Sequence, residues 1–419
     1  MKNNSAVILA GGFGSRLNSS SRNTPKSLTL VTDIPILHDQ ILQLKKYGFN
    51  NIIILVHFLK DQIIKYFKKN RIKNIQITFI DETTPRGTAG AVFDVLNYLE
   101  DNFLLIFGDI FFRVDLSKFF KFHKENNSFI TPFIHPNNHP HDSDIVELNN
   151  KNITKIFKYP HPKNFIANNL VLSGLFCCNK KAFKYFRNNK KNKMDLTNDL
   201  LKKHSLLDTK KVFGYKSTEY CKDMGTIERL EQVKNDIYEN KHNKLLLSNP
   251  RPAVFFDRDG TLIKYVPFLK KISDVKLYPN SASSLSKFNK LGYLTIMVTN
   301  QPQIARGELT IDNLKKIHNY IEFEISKSGA FIDDIFFCPH HPDSGFANEI
   351  KEFKKKCLCR KPNVGMFRQA CNEHNIDIQN SWMIGDTGRD IDFAKKSSLR
   401  SIFIKNEFFI QNNKCLPDA

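Results

Sequence analysis

No apolar run in this sequence of 419 residues approaches the roughly 18 needed to cross a bilayer, which excludes a helical membrane span. The first apolar stretch, Ala6–Ala10, is too short for a secretory leader and runs directly into glycines, so a cytoplasmic protein is expected. Cysteine occurs eight times but offers no disulfide framework: Cys177 and Cys178 are adjacent, and Cys357 and Cys359 are one residue apart. That usage suits a reducing compartment and metal ligation. The glycine-rich turn near the start has neither the dinucleotide GxGxxG nor the Walker GxxxxGK spacing. Internal repeats and nucleic-acid-binding signatures are also lacking. The net charge of +21 is read as compositional, because the lysines are scattered rather than striped. Small phosphorylated substrates, not nucleic acid, are the expected partners.

What remains is a globular composition, 41% apolar and 12% aromatic, in a chain long enough for two cores. Both halves read strand–helix–strand, which predicts two doubly wound, Rossmann-like α/β domains. A Lys/Asn-rich stretch leads into Pro250-Arg251-Pro252, where two prolines would break any helix. The expected division is a first domain over 1–236, a linker over 237–250 and a second domain over 251–419.

In the first half, Ala6–Ala10 reads as a buried strand, and GGFGSRL follows at once. Gly11, Gly12 and Gly14 would let backbone N–H groups approach a polyphosphate, while Arg16 and Lys26 supply cations. Phe103–Phe107 is a second buried strand, ending at Gly108-Asp109, and Asp223 opens DMGT. These motifs, with the RGTAGA loop at Arg86–Ala91, resemble the sugar-phosphate nucleotidyltransferases. The resemblance implies a GT-A-like fold in which Gly87 lies near the nucleoside and Asp109 and Asp223 hold Mg2+. A sugar 1-phosphate would attack the α-phosphorus of a nucleoside triphosphate and expel pyrophosphate. No protein nucleophile is needed; Arg16, Lys26 and the metal neutralise charge. Two departures stand out: Arg86 replaces a usual Leu, and in Phe157-Lys158-Tyr159-Pro160 the expected sugar-phosphate Lys is shifted by one.

The second half opens on AVFFDRDGTL, residues 253–262. Four apolar residues then Asp257-Arg258-Asp259 read as a buried strand running into a turn that carries two carboxylates. One can meet an electrophile and a metal, the other a leaving group. Leu294–Val298 is another apolar strand, ending in Thr299-Asn300; Arg360-Lys361-Pro362 and a strand ending at Asp386 follow. Between them Cys338 and His340, then Cys357 and Cys359, form a CxH…CxC set that suits a closed, structural Zn2+ site. The whole resembles the haloacid-dehalogenase-type phosphatases and, within them, the D-glycero-D-manno-heptose-1,7-bisphosphate phosphatases; histidinol-phosphate phosphatases share the zinc loop. The resemblance implies that Asp257 is phosphorylated and Asp259 is the acid/base. It also implies that Thr299, Asn300, Arg306 and Arg360 contact substrate, and that Lys361 offsets charge. Asp257, Asp386 and the Asp259 carbonyl would hold a second Mg2+. Pro302-Gln303 and Thr387 depart from the usual residues, Thr387 standing where Lys is common.

The expectation is a bifunctional enzyme of nucleotide-activated heptose synthesis. Heptose 1,7-bisphosphate would lose its 7-phosphate, and the heptose 1-phosphate would then receive a nucleotidyl group, GMP from GTP being preferred. The alternatives are a hexose-1-phosphate nucleotidyltransferase joined to a histidinol-phosphate-like phosphatase, and a degenerate nucleotide-sugar sensor joined to a working phosphatase.

Overall fold

A computed structural model describes residues 4–12, 24–184, 193–203 and 206–405. Contacts divide the chain into two units. The first is Met1–His135, Ser143–Pro160 and Val171–Leu246; the second is Pro136–Asp142, His161–Leu170 and Leu247–Ala419.

Among the described residues, eleven strands build the first unit. They are β1 (Asn4–Leu9), β2 (Phe49–Val56), β3 (Gln76–Asp81), β4 (Asn102–Phe107), β5 (Ile110–Arg113) and β6 (Ile130–His135). There follow β7 (Ile145–Asn149), β8 (Asn152–Phe157), β9 (Val171–Asn179), β10 (Tyr215–Lys216) and β11 (Tyr220–Asp223). The main sheet runs β10-β6-β9-β4-β1-β2-β3, with β7 and β8 off that path. β3, β2, β1 and β4 are parallel, whereas β9 runs antiparallel between β4 and β6. Near-continuous apolar runs suit the parallel part, because both faces of such a strand are covered. Ile52 and Ile54 of β2 accordingly join Ala6 and Ile8 in one core with Leu37, Ile41 and Leu44 of the helix Ile36–Lys46. That helix stops before Gly48, which is in a left-handed conformation (φ 78°). Order passes from β1 outward to β2 on one side and to β4 on the other, so the loops at the carboxyl ends of β1 and β4 flank the switch point. Gly11-Gly12 and Asp109 lie on those two loops.

Helical structure continues past residue 236. The helix Ile227–Tyr238 is followed by the turn Lys241–Lys244, whose His242 is buried against Phe111 and Tyr220. The stretch expected as a linker is therefore partly folded, since its helical and histidine contacts satisfy a core that the polar composition hides.

The described residues of the second unit form five parallel strands: β12 (Ala253–Phe256), β13 (Leu294–Asn300), β14 (Asp334–Cys338), β15 (Trp382–Gly385) and β16 (Arg400–Phe403). Their order is β14-β13-β12-β15-β16. The four apolar residues of β12 divide by the period of two. Val254 and Phe256 pack with Leu314, Ile317 and Ile321 of the helix Ile311–Ser326. Ala253 and Phe255 pack with Met366 and Phe367 of the helix Gly365–Glu373 and with Phe393 of the helix Gly388–Lys396. Each buried Phe contributes roughly 1.5–3 kcal/mol. The switch point falls between β12 and β15, and Asp257 and Asp386 are the residues that follow those strands.

Candidate active sites

At the carboxyl edge of the second sheet, Asp257, Asp259, Thr299, Asn300, Arg306, Arg360, Lys361 and Asp386 line one cavity of about 320 Å³. The backbone that delivers Asp257 is fixed by its N–H donating to Ile384 O (3.0 Å), and Gly260 turns the chain with φ 79°. Lys361 is the centre of the site. Its ammonium donates to Val298 O at 2.9 Å and forms ion pairs with Asp257 Oδ1 at 2.9 Å and Asp390 Oδ1 at 2.7 Å. Burial works against charge on this lysine, but the two carboxylates outweigh it and raise its pKa. For Asp257, burial pushes the pKa up to about 7, against the pull of Lys361 and with the help of Asp390, Asp259 and Asp386.

Asp390 was not among the residues expected at the site, yet it is fully buried in it. Its second oxygen accepts from Thr387 N–H (3.1 Å) and from the Thr387 hydroxyl (2.6 Å), completing a capping box on the helix Gly388–Lys396. Gly385 makes room for it, because a Cβ there would fall 2.4 Å from Asp390 Cβ. The signal was present as Thr-x-x-Asp ahead of an amphipathic helix.

Asp259 is gripped by its own neighbour. The fully buried Arg258 donates to it through Nη2 (2.8 Å) and Nε (3.2 Å), and Gln301 Nε2 approaches to 3.2 Å. Gln301 also donates to Thr299 Oγ1 at 2.8 Å, linking the two predicted residues. Asn300 uses both ends of its amide on Lys361, donating to its carbonyl (3.0 Å) and accepting from its N–H (2.9 Å). It thus holds the lysine's backbone in place. Donor atoms of Asp257, Asp386 and Asp390 lie within 4.8 Å of one another. Converging hard oxygens with an excess of negative charge fit a divalent cation.

The four predicted sulfur and nitrogen donors converge as well. Cys338, His340, Cys357 and Cys359 offer ligand atoms within 4.8 Å of one another. The sulfurs are 3.2–3.5 Å apart and His340 Nδ1 is 3.1 Å from Cys359 Sγ. A tetrahedron with arms of about 2.3 Å has edges of about 3.8 Å, so the donors need only spread by a few tenths of an ångström to take a metal. Hydrogen bonding from Cys338, acting against burial, draws the Cys359 thiol down to about 5. The neighbouring His341 turns instead to Asp343 N–H (3.2 Å) and Arg306 (3.4 Å). Arg360 and Lys361 follow Cys359 directly, and Arg360 donates back to His340 O at 3.3 Å.

In the first unit, Gly14 and Arg16 lie outside the described residues. Gly11 ends β1 so tightly that a Cβ would sit 2.9 Å from Glu82 Oε2, whereas Gly12 faces open space. Lys26 Nζ is 2.5 Å from Asp109 Oδ2. Asp223 is brought alongside by the β5–β11 ribbon, with Met224 N–H donating to Asp109 O (2.9 Å). Arg229 holds both Asp223 oxygens, at 2.7 and 2.9 Å, a contact that sequence reading missed because the arginine looks like an exposed helix charge. Gly87 has φ 77° and a Cβ there would meet Met194 O at 2.5 Å; Ala89 and Gly90 N–H groups both donate to that carbonyl. Beside them Asp195 accepts from Thr88 (3.1 Å) and Lys158 (3.1 Å). Lys158 is therefore turned toward the glycine loop, while Tyr159 is 52% exposed.

A doubly wound sheet with an Asp–Lys–Asp cluster at one switch point, and a second with paired aspartates and a glycine turn at the other, defines a two-site α/β enzyme of phosphoryl and nucleotidyl transfer. Residues 5–240 match the family described as Nucleotidyl transferase, and residues 358–412 match the HAD-hydrolase-like family. The chain belongs to the nucleotidyl transferase family and, through its phosphatase part, to the family of the heptose-1,7-bisphosphate 7-phosphatases. It is 35% identical over 164 residues to the D-glycero-alpha-D-manno-heptose-1,7-bisphosphate 7-phosphatase of Photorhabdus laumondii, covering 39% of this chain and 84% of that protein. Against the D-glycero-beta-D-manno-heptose-1,7-bisphosphate 7-phosphatase of Yersinia pestis it is 35% identical over 148 residues, covering 35% and 77%. Among solved structures, HddC from Yersinia pseudotuberculosis aligns with 56% of this chain and 99% of its own, at 24% identity and a TM-score of 0.48. No helix among the described residues is long and apolar enough to cross a membrane.

Proposed function

We propose that the chain makes a nucleotide-activated heptose in two steps, acting on small molecules in the cytoplasm. The second unit removes the 7-phosphate from D-glycero-D-manno-heptose 1,7-bisphosphate. The first then couples the heptose 1-phosphate to a nucleotide, GMP from GTP, with release of pyrophosphate. The observation that carries the phosphatase reading is Lys361 held between Asp257 and Asp390, in a part of the chain 35% identical over 164 residues to a heptose-bisphosphate phosphatase.

In that reading an Asp257 oxygen attacks the 7-phosphorus and the bond to the sugar oxygen breaks. Asp259, oriented by Arg258 and Gln301, gives a proton to the departing alkoxide. It then takes a proton from the water that hydrolyses the aspartyl phosphate. Lys361 balances the anionic oxygens throughout. Asp257 and Asp386, with the Asp259 carbonyl, would hold Mg2+, which supplies charge neutralisation to the phosphoryl oxygens. Zn2+ at Cys338, His340, Cys357 and Cys359 would be structural, since four protein ligands leave no open position.

In the first unit the work is positioning. Lys26, and Arg16 by resemblance, would neutralise the triphosphate; Asp109 and Asp223 would exchange Lys26 and Arg229 for Mg2+ when nucleotide arrives. The Gly87–Thr88 loop, tied to Lys158 through Asp195, would take the nucleoside and sugar side.

A screen of the four nucleoside triphosphates against both anomers of heptose 1-phosphate and against mannose 1-phosphate, read by pyrophosphate release, tests the pairing. GTP with a heptose 1-phosphate is expected to be turned over best. Preference for mannose 1-phosphate, or no pyrophosphate from any pair, would refute it. Metal analysis is expected to return one zinc per chain.

A further inference from the structure

The helix Ile311–Ser326 packs into the second unit's core through Leu314, Ile317, Ile321 and Ile325, and His318 lies in the same buried stripe. Positions spaced i, i+3, i+4, i+7 on such a face ordinarily take apolar side chains. The imidazole is 6% exposed and meets the Phe337 ring edge-on, with centroids 6.1 Å apart. Its Nε2 faces Nη1 of Arg258 at 3.4 Å. Burial, and then the arginine, push the His318 pKa well below its ordinary value, so the ring is neutral. A guanidinium has no acceptor. Nη1 is therefore the donor, Nε2 the bare nitrogen, and the ring proton sits on Nδ1.

Arg258 joins the two carboxylates of the turn. Its backbone N–H donates to Asp257 Oδ1 at 2.7 Å, and its carbonyl accepts from Leu262 and Ile263 N–H, both at 3.0 Å. Its guanidinium is fully buried and presents the Nε–Nη2 edge to Asp259. The guanidinium is a rigid planar fork, so an acceptor at Nη1 fixes the plane and the direction of the opposite edge. An apolar residue at 318 would leave Nη1 buried without that acceptor, and the fork would turn to find another. Asp259 lines the cavity with its side chain 21% exposed. A carboxyl that exchanges protons with a substrate depends on direction before acidity.

We infer that His318 is a positioning residue for proton transfer: by accepting from Arg258 it holds the guanidinium edge on Asp259 and keeps that carboxyl aimed into the cavity. The inference rests on the phosphatase reading given above, in which Asp259 is the acid and base. It extends the support of that carboxyl into the core of the second unit.

The test uses the full chain with His318→Gln and His318→Asn, melting curves confirming folding. A glutamine carries its amide oxygen out to the reach of Nε2, whereas an asparagine stops at that of Nδ1. Each variant is assayed on heptose 1,7-bisphosphate, whose alkoxide needs a proton to leave, and on p-nitrophenyl phosphate, whose phenolate does not. His318→Asn is expected to lower the sugar-over-aryl ratio of kcat/KM by about 10- to 100-fold, part of the roughly 10²- to 10⁴-fold that a positioned acid contributes. His318→Gln should recover most of that ratio. An unchanged ratio in His318→Asn, the same fall of the ratio in both variants, or unfolding of both would overturn the assignment and leave a packing histidine. Failure of the underlying reading shows separately. Asp259→Asn, expected to depress the ratio more strongly than either variant, would then leave it unchanged. If the unaltered enzyme does not turn over heptose 1,7-bisphosphate, the heptose reading fails and the ratio is read with fructose 1,6-bisphosphate.

Discussion

The two sites occupy equivalent places in their sheets but are furnished differently. At the edge of the second sheet Lys361 and Asp390 are almost wholly inaccessible, with side-chain exposures of 2% and 0%. At the edge of the first, the Lys26–Asp109 pair is 19% and 31% exposed and the Arg229–Asp223 pair 23% and 37%. The difference follows from what each reaction asks of the protein. In the proposed mechanism a covalent step on Asp257 would need a nucleophile fixed in a dry, charge-balanced setting before substrate arrives. Nucleotidyl transfer takes its nucleophile from the sugar phosphate and much of its charge from the nucleotide and metal. Its protein groups can wait in half-open ion pairs that are exchanged on binding. Buried pairs preorganise; exposed pairs are replaced.

The contrast can be broken most directly at Asp257. Asp257→Asn is expected to cut phosphate release by at least about 10⁴-fold while pyrophosphate release from supplied heptose 1-phosphate persists. Loss of both activities in a folded variant would remove the idea of two independent sites. Next in size is Lys361→Met, which leaves Asp257 and Asp390 buried without their cation. A destabilisation of about 3–5 kcal/mol is expected in denaturant titration of the phosphatase signal. A loss below about 1 kcal/mol would mean that Lys361 does not hold the cluster together.

For the first site, Asp109→Asn should lower pyrophosphate release by about 10²- to 10³-fold, leaving phosphate release in place. Its effect on thermal stability should be small, because the pair it breaks is partly solvated. A melting shift as large as that of Lys361→Met would erase the distinction between the two kinds of pair.

The smallest effect is one of pH. Without metal, Asp257 titrates at about 7, above its ordinary value of 3.8. Its protonated form therefore favours folding, a contribution complete below about pH 4 and lost as pH rises through about 7. Metal needs the carboxylate instead, so Mg2+ affinity at this site should fall about tenfold per pH unit below 7. Calorimetric titrations at pH 5.5, 6.5 and 7.5 measure it, and a flat profile would show that the carboxylate is already ionised.

The fold was readable in the sequence where burial is simple. Apolar runs such as Ala253–Phe256 and Phe103–Phe107 read as strands covered on both faces, and the acids just after them, Asp257 and Asp109, mark the sheet edge. The zinc-type donors were legible because their spacing and chemistry coincide. What the sequence hid were partnerships fixed only by tertiary approach. Arg258 looks like a charge in a turn but is fully buried on Asp259. Arg229 and Asp195 sit at positions that on periodicity alone belong to solvent, yet they pair with Asp223 and Lys158. His242 lies in a polar stretch and still fills a core.

The adjacency of Cys359 to Arg360 and Lys361 has a consequence for how the enzyme fails. The proposed metal ligand Cys359 and the ammonium of Lys361, which pairs with Asp257, stand two residues apart on one strip of backbone. If the four donors bind a metal as proposed, an oxidant or chelator would not have to enter the catalytic cavity to silence it. Damage at the cysteines would then disturb the lysine from outside, a route that the nucleotidyltransferase half, with Cys177, Cys178 and Cys221 buried in its core, does not offer.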